Sequence, residues 1–88
     1  MEKSNLRILA ADDHQLSIRL ITKQLGFMGF AKIESASNGE EARRRLEQEP
    51  FDIVILDWAM PQKDGFTLLK ECLAQDKFKH VAFAMLTS

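Results

Sequence analysis

The sequence lacks the features that would tie it to a membrane, an oxidising compartment or nucleic acid. Its single cysteine, Cys72, cannot form a disulfide within the chain. Its longest apolar run, residues 81–86, is far too short to cross a bilayer, and no basic segment followed by a long apolar one suggests a signal peptide. The 12 basic and 13 acidic residues nearly balance, so no overall field draws the chain to nucleic acid or an anionic membrane. These absences predict a cytoplasmic protein that binds its partners at local sites.

Glycine and proline are scarce too, at four and two residues, and repeats and low-complexity segments are lacking. With 45% hydrophobic and 28% charged residues, the composition predicts a packed core. A chain of 88 residues is too short for two independent cores. We therefore expect one domain.

Short apolar segments alternate with amphipathic ones, which indicates an α/β fold with a parallel sheet wrapped by helices. Residues 53–56 are dense in β-branched and aliphatic side chains, which predicts a central strand buried on both faces and ending on Asp57; residues 81–86 predict a second such strand. Lys32 and Glu34 alternate with Ile33, which favours an edge strand. The predicted strands are residues 6–11, 31–36, 53–57 and 81–86.

Three helices are predicted between these strands from apolar residues spaced three and four apart. The first covers residues 15–28, with an apolar face of Ile18, Ile21, Leu25 and Met28. The second opens with a capping box formed by Asn38 and Glu41 and ends near residue 48. The apolar face of the third consists of Phe66, Leu69, Cys72 and Leu73.

Polar side chains follow three of the predicted strands. Asp12 and Asp13 follow the first strand, Asp57 ends the third, and Thr87 and Ser88 end the fourth. In open parallel sheets ligands bind at the carboxyl ends of the strands, so these side chains should converge. Capping of the first helix would explain Asp12 or Asp13 but not Asp57. His14 has no second histidine or cysteine at ligand spacing, so we interpret it as a surface residue near the helix start.

Three neighbouring carboxylates repel one another unless a cation lies among them. Magnesium is the natural candidate, because it favours carboxylate oxygen and keeps coordination sites for water and phosphate. Beside such an ion one carboxylate can attack phosphorus and form an aspartyl phosphate.

Five motifs in order resemble the receiver domains of two-component response regulators, and together they span essentially the whole chain. They are Ala11-Asp12-Asp13, residues 38–42, residues 53–61, Asp64-Gly65 and Leu86-Thr87-Ser88. The Gly26-Phe27 turn before the second strand favours the single-domain chemotaxis type. The resemblance implies a flavodoxin-like doubly wound sheet with strand order 2-1-3-4.

The resemblance also implies a role for each matching residue. Asp57 would be phosphorylated by a histidine kinase, and Thr87 would be the switch hydroxyl that couples the phosphoryl group to an effector or output domain. Asp13, Asp57 and the backbone carbonyl of Ala59 would bind Mg²⁺ directly, and Asp12 would bind it through water. Such a module promotes only its own phosphorylation and dephosphorylation, so it is not an enzyme acting on an external substrate.

The family's final helix, strand and helix, with a phosphate-binding lysine, have no counterpart here, which predicts a receiver domain, residues 1–88, truncated after its fourth strand. The uncovered apolar edge of that strand predicts self-association, and hence an alternative function as a phosphorylation-silent interaction domain. A less favoured alternative is an aspartate-nucleophile phosphohydrolase. That class needs an Asp-x-Asp pattern on the first strand, which the segment Asp12-Asp13-His14 does not provide.

Overall fold

Four parallel strands form one sheet in the order β2-β1-β3-β4, as predicted. The computed structural model describes residues 2–58, 60 and 64–86. The strands and helices are β1 (Arg7–Ala11), α1 (Gln15–Phe27), β2 (Lys32–Ala36), α2 (Gly39–Gln48), β3 (Ile53–Asp57), α3 (Gly65–Leu73) and β4 (Ala82–Leu86). Two single 3₁₀ turns, Lys3–Asn5 and Asp76–Phe78, precede β1 and β4.

The main core lies on the sheet face that α2 and α3 cover. Leu9 of β1 pairs with Val54 of β3, and both are fully buried beside Leu46 of α2 and Leu68 of α3. Apolar residues that alternate along a strand point to one face, which explains this layer. The strand buried on both faces is β1 rather than the predicted β3, in which the alternate residues Ile53 and Ile55 are only half-buried.

The opposite face of the sheet is covered incompletely. Helix α1 packs on β1, where Ile8 and Ala10 are fully buried. All thirteen residues of α1 are described and none is buried, although the predicted stripe of Ile18, Ile21 and Leu25 is half-buried. The predicted fourth member, Met28, follows the helix and is 56% exposed. The period of the helix was therefore predicted correctly, and its apolar face is only partly covered.

Strand β4 lies at the edge of the sheet, and the prediction that it is buried on both faces is wrong because one of its faces is exposed. Phe83 and Met85 are half-buried against the core, whereas Ala82, Ala84 and Leu86 are exposed. Register pairs Ala82 with Ile53 and Ala84 with Ile55, which places the exposed residues on the face that α1 only partly covers.

Side chains fix the start of two helices. The Glu41 amide donates to Asn38 Oδ1 at 2.8 Å, which confirms the predicted N-cap of α2. The Glu41 carboxylate accepts a 2.5 Å hydrogen bond from the amide of Ser37, one residue before the cap, and this bond lowers the pKa of Glu41. At α3, Asp64 Oδ1 accepts from the Thr67 amide at 2.7 Å, so Asp64 is the N-cap.

The buried face of α3 differs from the predicted one. Gly65, Leu68 and Cys72 are buried, whereas Phe66 is exposed and Leu73 is 67% exposed. Leu69 and Cys72 were assigned to the core correctly. The helix buries a different face from the predicted one because its first turn packs against the backbone of Asp57 and Trp58 at the end of β3.

Candidate metal centre

The carboxyl ends of β1 and β3 bring three carboxylates together. Ala11 is paired with Leu56, so the next residues along the two strands, Asp12 and Asp57, lie side by side. Asp12, Asp13, Asp57 and His14 each offer one ligand atom, and these four atoms lie within 4.8 Å of one another. The structure therefore assembles the predicted acidic site, although the role of each residue stays a prediction.

Asp12 is held in place by its backbone and by the turn that follows. Its amide donates to the carbonyl of Ala36 at 3.0 Å, which links it to β2. Its Oδ1 accepts a 2.9 Å hydrogen bond from the amide of His14. The residue is only 6% exposed, so a carboxylate is fixed at the edge of the core with an N–H group to stabilise its charge.

His14 is exposed at the start of α1, as predicted, and it also belongs to the same cluster, which the sequence-based interpretation did not foresee. Its Nδ1 lies 3.2 Å from Asp12 Oδ1 and 3.1 Å from Asp13 Oδ1, although its side chain is 72% exposed. His14 is the N-cap residue of α1, so the strand-to-helix turn carries both aspartates and the imidazole. Its place directly after the two aspartates was the signal available in the sequence.

The backbone of Asp57 is packed against the first turn of α3. A Cβ added to Gly65 would lie 2.1 Å from the Asp57 carbonyl oxygen and 3.2 Å from Met85 Cε. The Gly65 amide donates to the Trp58 carbonyl at 3.1 Å, and the Trp58 amide donates to the Leu86 carbonyl at 3.0 Å. Only glycine allows this approach, so Gly65 positions the segment that carries Asp57.

An aromatic pair lies on the rim beside Asp57. The rings of Trp58 and Phe66 are 5.0 Å apart at an interplanar angle of 34°, and Lys70 Nζ lies 5.3 Å from the Phe66 ring centroid. Both aromatic residues are exposed. Phe66, which was predicted to face the core, packs on Trp58 at the surface instead.

Other predicted site residues lie outside the described residues. These are Ala59, predicted to supply a carbonyl ligand, Thr87, predicted to be the switch hydroxyl, and Ser88, predicted to converge on the same edge. Among the described helices, none combines the length and apolar character that a membrane span requires.

The donor set fits a hard divalent cation. Asp12, Asp13 and Asp57 offer carboxylate oxygen, which is the ligand Mg²⁺ prefers, and their mutual repulsion favours a cation among them. Only a few side chains converge, so coordination positions would remain for water and for a phosphate oxygen. This is the chemistry of a site for phosphoryl transfer.

The chain matches the family model of the response regulator receiver domain over residues 8–88. It therefore belongs to the family of response regulator receiver domains. It is 34% identical over 84 residues to the chemotaxis protein CheY-3 of Vibrio cholerae, a match that covers 96% of this chain and 65% of that protein. It is 32% identical over 83 residues to the chemotaxis protein CheY of Pseudomonas aeruginosa, covering 94% of this chain and 67% of that protein. The chain thus spans about two thirds of the length of these relatives.

Solved structures show the same fold. The response regulator TrrA of Thermotoga maritima, in complex with Mg²⁺-BeF, is 33% identical with a TM-score of 0.85, covering 93% of this chain and 69% of that one. The chemotaxis response regulator CheY4 of Vibrio cholerae is 29% identical with a TM-score of 0.83, covering 91% of this chain and 66% of that one. These matches confirm the predicted flavodoxin-like architecture.

Proposed function

We propose that this chain is a phosphoacceptor signalling module of a two-component system. Asp57 accepts a phosphoryl group from a histidine kinase, and the modified domain changes its binding to an effector or output domain. The observation that carries the proposal is the convergence of Asp57 with Asp12 and Asp13 at the carboxyl edge of a receiver-family sheet. Such a module works in the cytoplasm together with its kinase.

In the proposed reaction the side chains hold the nucleophile and its counter-charges in place. Asp12, Asp13, Asp57 and the carbonyl of Ala59 would hold Mg²⁺, which neutralises charge on the transferring group. An oxygen of Asp57 attacks phosphorus, the new O–P bond forms as the N–P bond to the kinase histidine breaks, and that histidine leaves as imidazole. Thr87 would contact the phosphoryl group afterwards and transmit the change to the partner surface.

The module modifies itself and turns over no external substrate, because its nucleophile becomes the modified residue. A phosphohydrolase of the aspartate class would place the nucleophile on β1. Here β1 is followed by a buried Asp12, whose Oδ1 accepts a hydrogen bond from the His14 amide. Asp57, at the end of β3, has its backbone packed against Gly65. This arrangement favours Asp57 as the nucleophile.

The test is to incubate the chain with Mg²⁺ and acetyl phosphate and to measure its intact mass. We expect an increase of one phosphoryl group that requires Mg²⁺ and is lost in Asp57→Asn. Asp76→Asn, on the exposed turn before β4, is the matched control and should be modified normally. Modification that persists in Asp57→Asn would assign the phosphoryl group to another residue and contradict the proposal.

We also propose, as a second candidate, that the chain self-associates through β4. The observation that favours it is the edge position of this strand, with Ala82, Ala84 and Leu86 exposed on an incompletely covered face. An exposed apolar edge strand offers unpaired backbone groups and apolar surface to a second chain.

Sizing by light scattering at increasing concentration tests this candidate. We expect the chain to associate and Ala84→Glu to shift it toward the monomer. Ala74→Glu, an exposed position after α3, makes the same chemical change away from the sheet and should leave association unaltered. A monomeric chain at all concentrations would exclude the second candidate and leave the first unaffected.

A further inference from the structure

His14 adds a nitrogen donor to a cluster that otherwise contains only carboxylate oxygen. Its Nδ1 lies 3.1 Å from Asp13 Oδ1 and 3.2 Å from Asp12 Oδ1. The imidazole lies at this position because the amide of His14 is anchored to Asp12 at 2.9 Å, where the chain turns from β1 into α1. The ring thus reaches the acidic site from a fixed backbone position.

These distances are compatible with ligands around one octahedral ion. With metal–ligand bonds of about 2.1 Å, adjacent ligand atoms lie about 3.0 Å apart and opposite ones about 4.2 Å apart. The two nitrogen–oxygen separations of 3.1 and 3.2 Å match adjacent positions. The four ligand atoms lie within 4.8 Å of one another, so one ion would reach all of them after a shift of a few tenths of an ångström.

Nitrogen changes which cations such a site selects. Mg²⁺ is bound by oxygen, whereas Ni²⁺, Zn²⁺ and their neighbours in the first transition row bind imidazole well and bind a given nitrogen–oxygen site more tightly. A site with Asp12, Asp13 and Asp57 alone would show a weaker preference. His14 is therefore placed to determine cation specificity.

We propose that His14 is a metal ligand that gives the acidic site a preference for a first-row transition cation over Mg²⁺. The inference rests on the proposed function, because it uses the same three carboxylates. Without a cation Nδ1 donates to the Asp12 and Asp13 carboxylates, and metal binding would require the tautomer protonated at Nε2, which leaves the Nδ1 lone pair for the ion. His14 should contribute little to Mg²⁺ binding, because the carboxylates and water supply the oxygen ligands that this ion prefers.

The test compares Ni²⁺ and Mg²⁺ titrations of the 88-residue chain by calorimetry at about pH 8, where a free histidine side chain is neutral. His14→Gln should weaken Ni²⁺ binding by at least about tenfold, since even outer-shell partners of a metal contribute that much. Mg²⁺ binding should change by less than about twofold. The chain has two histidines, so His80→Gln, an exposed position before β4, is the matched control and should bind both ions normally.

A second measurement needs no variant at the site. Paramagnetic Ni²⁺, added well below one equivalent, should broaden the ring proton signals of His14 in the unmodified chain before those of His80. Equal Ni²⁺ affinity in His14→Gln, or His80 signals that broaden first, would overturn the inference.

The outcomes separate this inference from the proposed function. Unchanged Ni²⁺ binding in His14→Gln, together with phosphorylation that depends on Asp57, would remove the inference and leave the function intact. A selective loss of Ni²⁺ binding in a chain that acetyl phosphate does not modify would support the inference and contradict the phosphoacceptor function.

Discussion

Gly65 and Asp57 are in backbone contact: a Cβ on Gly65 would lie 2.1 Å from the carbonyl oxygen of Asp57. Real Cβ atoms do not approach a backbone oxygen this closely, so either α3 or the end of β3 would have to move. Since β3 ends on the proposed nucleophile, the same contact determines both how α3 packs and where the carboxylate lies.

Gly65→Ala is therefore expected to destabilise the fold and disturb the site. Overpacking of this kind costs roughly 1–3 kcal/mol, which urea unfolding would measure. Gly26→Ala is the matched control, because a Cβ there meets nothing within 4 Å and the position is helical. Alanine is favoured over glycine inside a helix, so the control should gain up to about 1 kcal/mol. Equal stabilities of the two variants would contradict the role of Gly65.

The same contact explains why the face of α3 was predicted only in part, with Phe66 and Leu73 wrongly included. Residues 66, 69 and 73 form a helical stripe as regular as the buried one at 65, 68 and 72. Periodicity alone does not choose between two stripes one residue apart. The choice is made by Gly65, whose missing side chain lets the helix rest on the backbone of Asp57. This is a tertiary constraint that local sequence does not encode.

Mg²⁺ should stabilise the chain, because the ion binds the folded site and offsets repulsion among Asp12, Asp13 and Asp57. At ten times its dissociation constant a bound ion adds about 1.4 kcal/mol to the free energy of unfolding. Asp13→Asn should gain less from the same Mg²⁺ concentration, and Asp76→Asn should gain as much as the unmodified chain. Urea unfolding with Mg²⁺ and with excess chelator measures the difference. An identical gain in Asp13→Asn would exclude Asp13 as a ligand.

The position of the acidic site was predictable because it follows from topology. Parallel strands present their carboxyl ends at one edge, so Asp12 and Asp57 could be placed together without coordinates. The inclusion of His14 was harder to predict: its place after the two aspartates is visible in the sequence, but its ring position depends on the torsions of a single turn. The exposure of β4 depends on which elements pack against its edge and its outer face. The residues of the strand itself do not specify those elements.

Trp58 should report cation binding at Asp57. It is the only tryptophan in the chain, it directly follows the proposed nucleophile, and its ring packs on Phe66 at 5.0 Å. A divalent charge bound at the adjacent residue alters the field at the indole, so its fluorescence should change along a saturating Mg²⁺ titration. Asp57→Asn should weaken or abolish the response, while Phe66→Leu should retain it at an altered baseline. A flat signal in a chain that calorimetry shows to bind Mg²⁺ would contradict this placement.

Glu41 should make stability depend on pH. Hydrogen bonds from the backbone and side chain of Ser37 and the nearby charge of Arg45 lower its pKa below the ordinary value of 4.5. A lowered pKa in the folded state means that Glu41 contributes stability in full above pH 4.5, and that this contribution disappears as the pH falls through the lowered pKa. Glu41→Gln should therefore unfold more easily at neutral pH and lose less stability on acidification. Glu40→Gln removes the same charge from the same turn of α2 and serves as the comparison variant. Urea midpoints measured from neutral pH to pH 3 would show the contrast, and equal acid losses in the two variants would count against it.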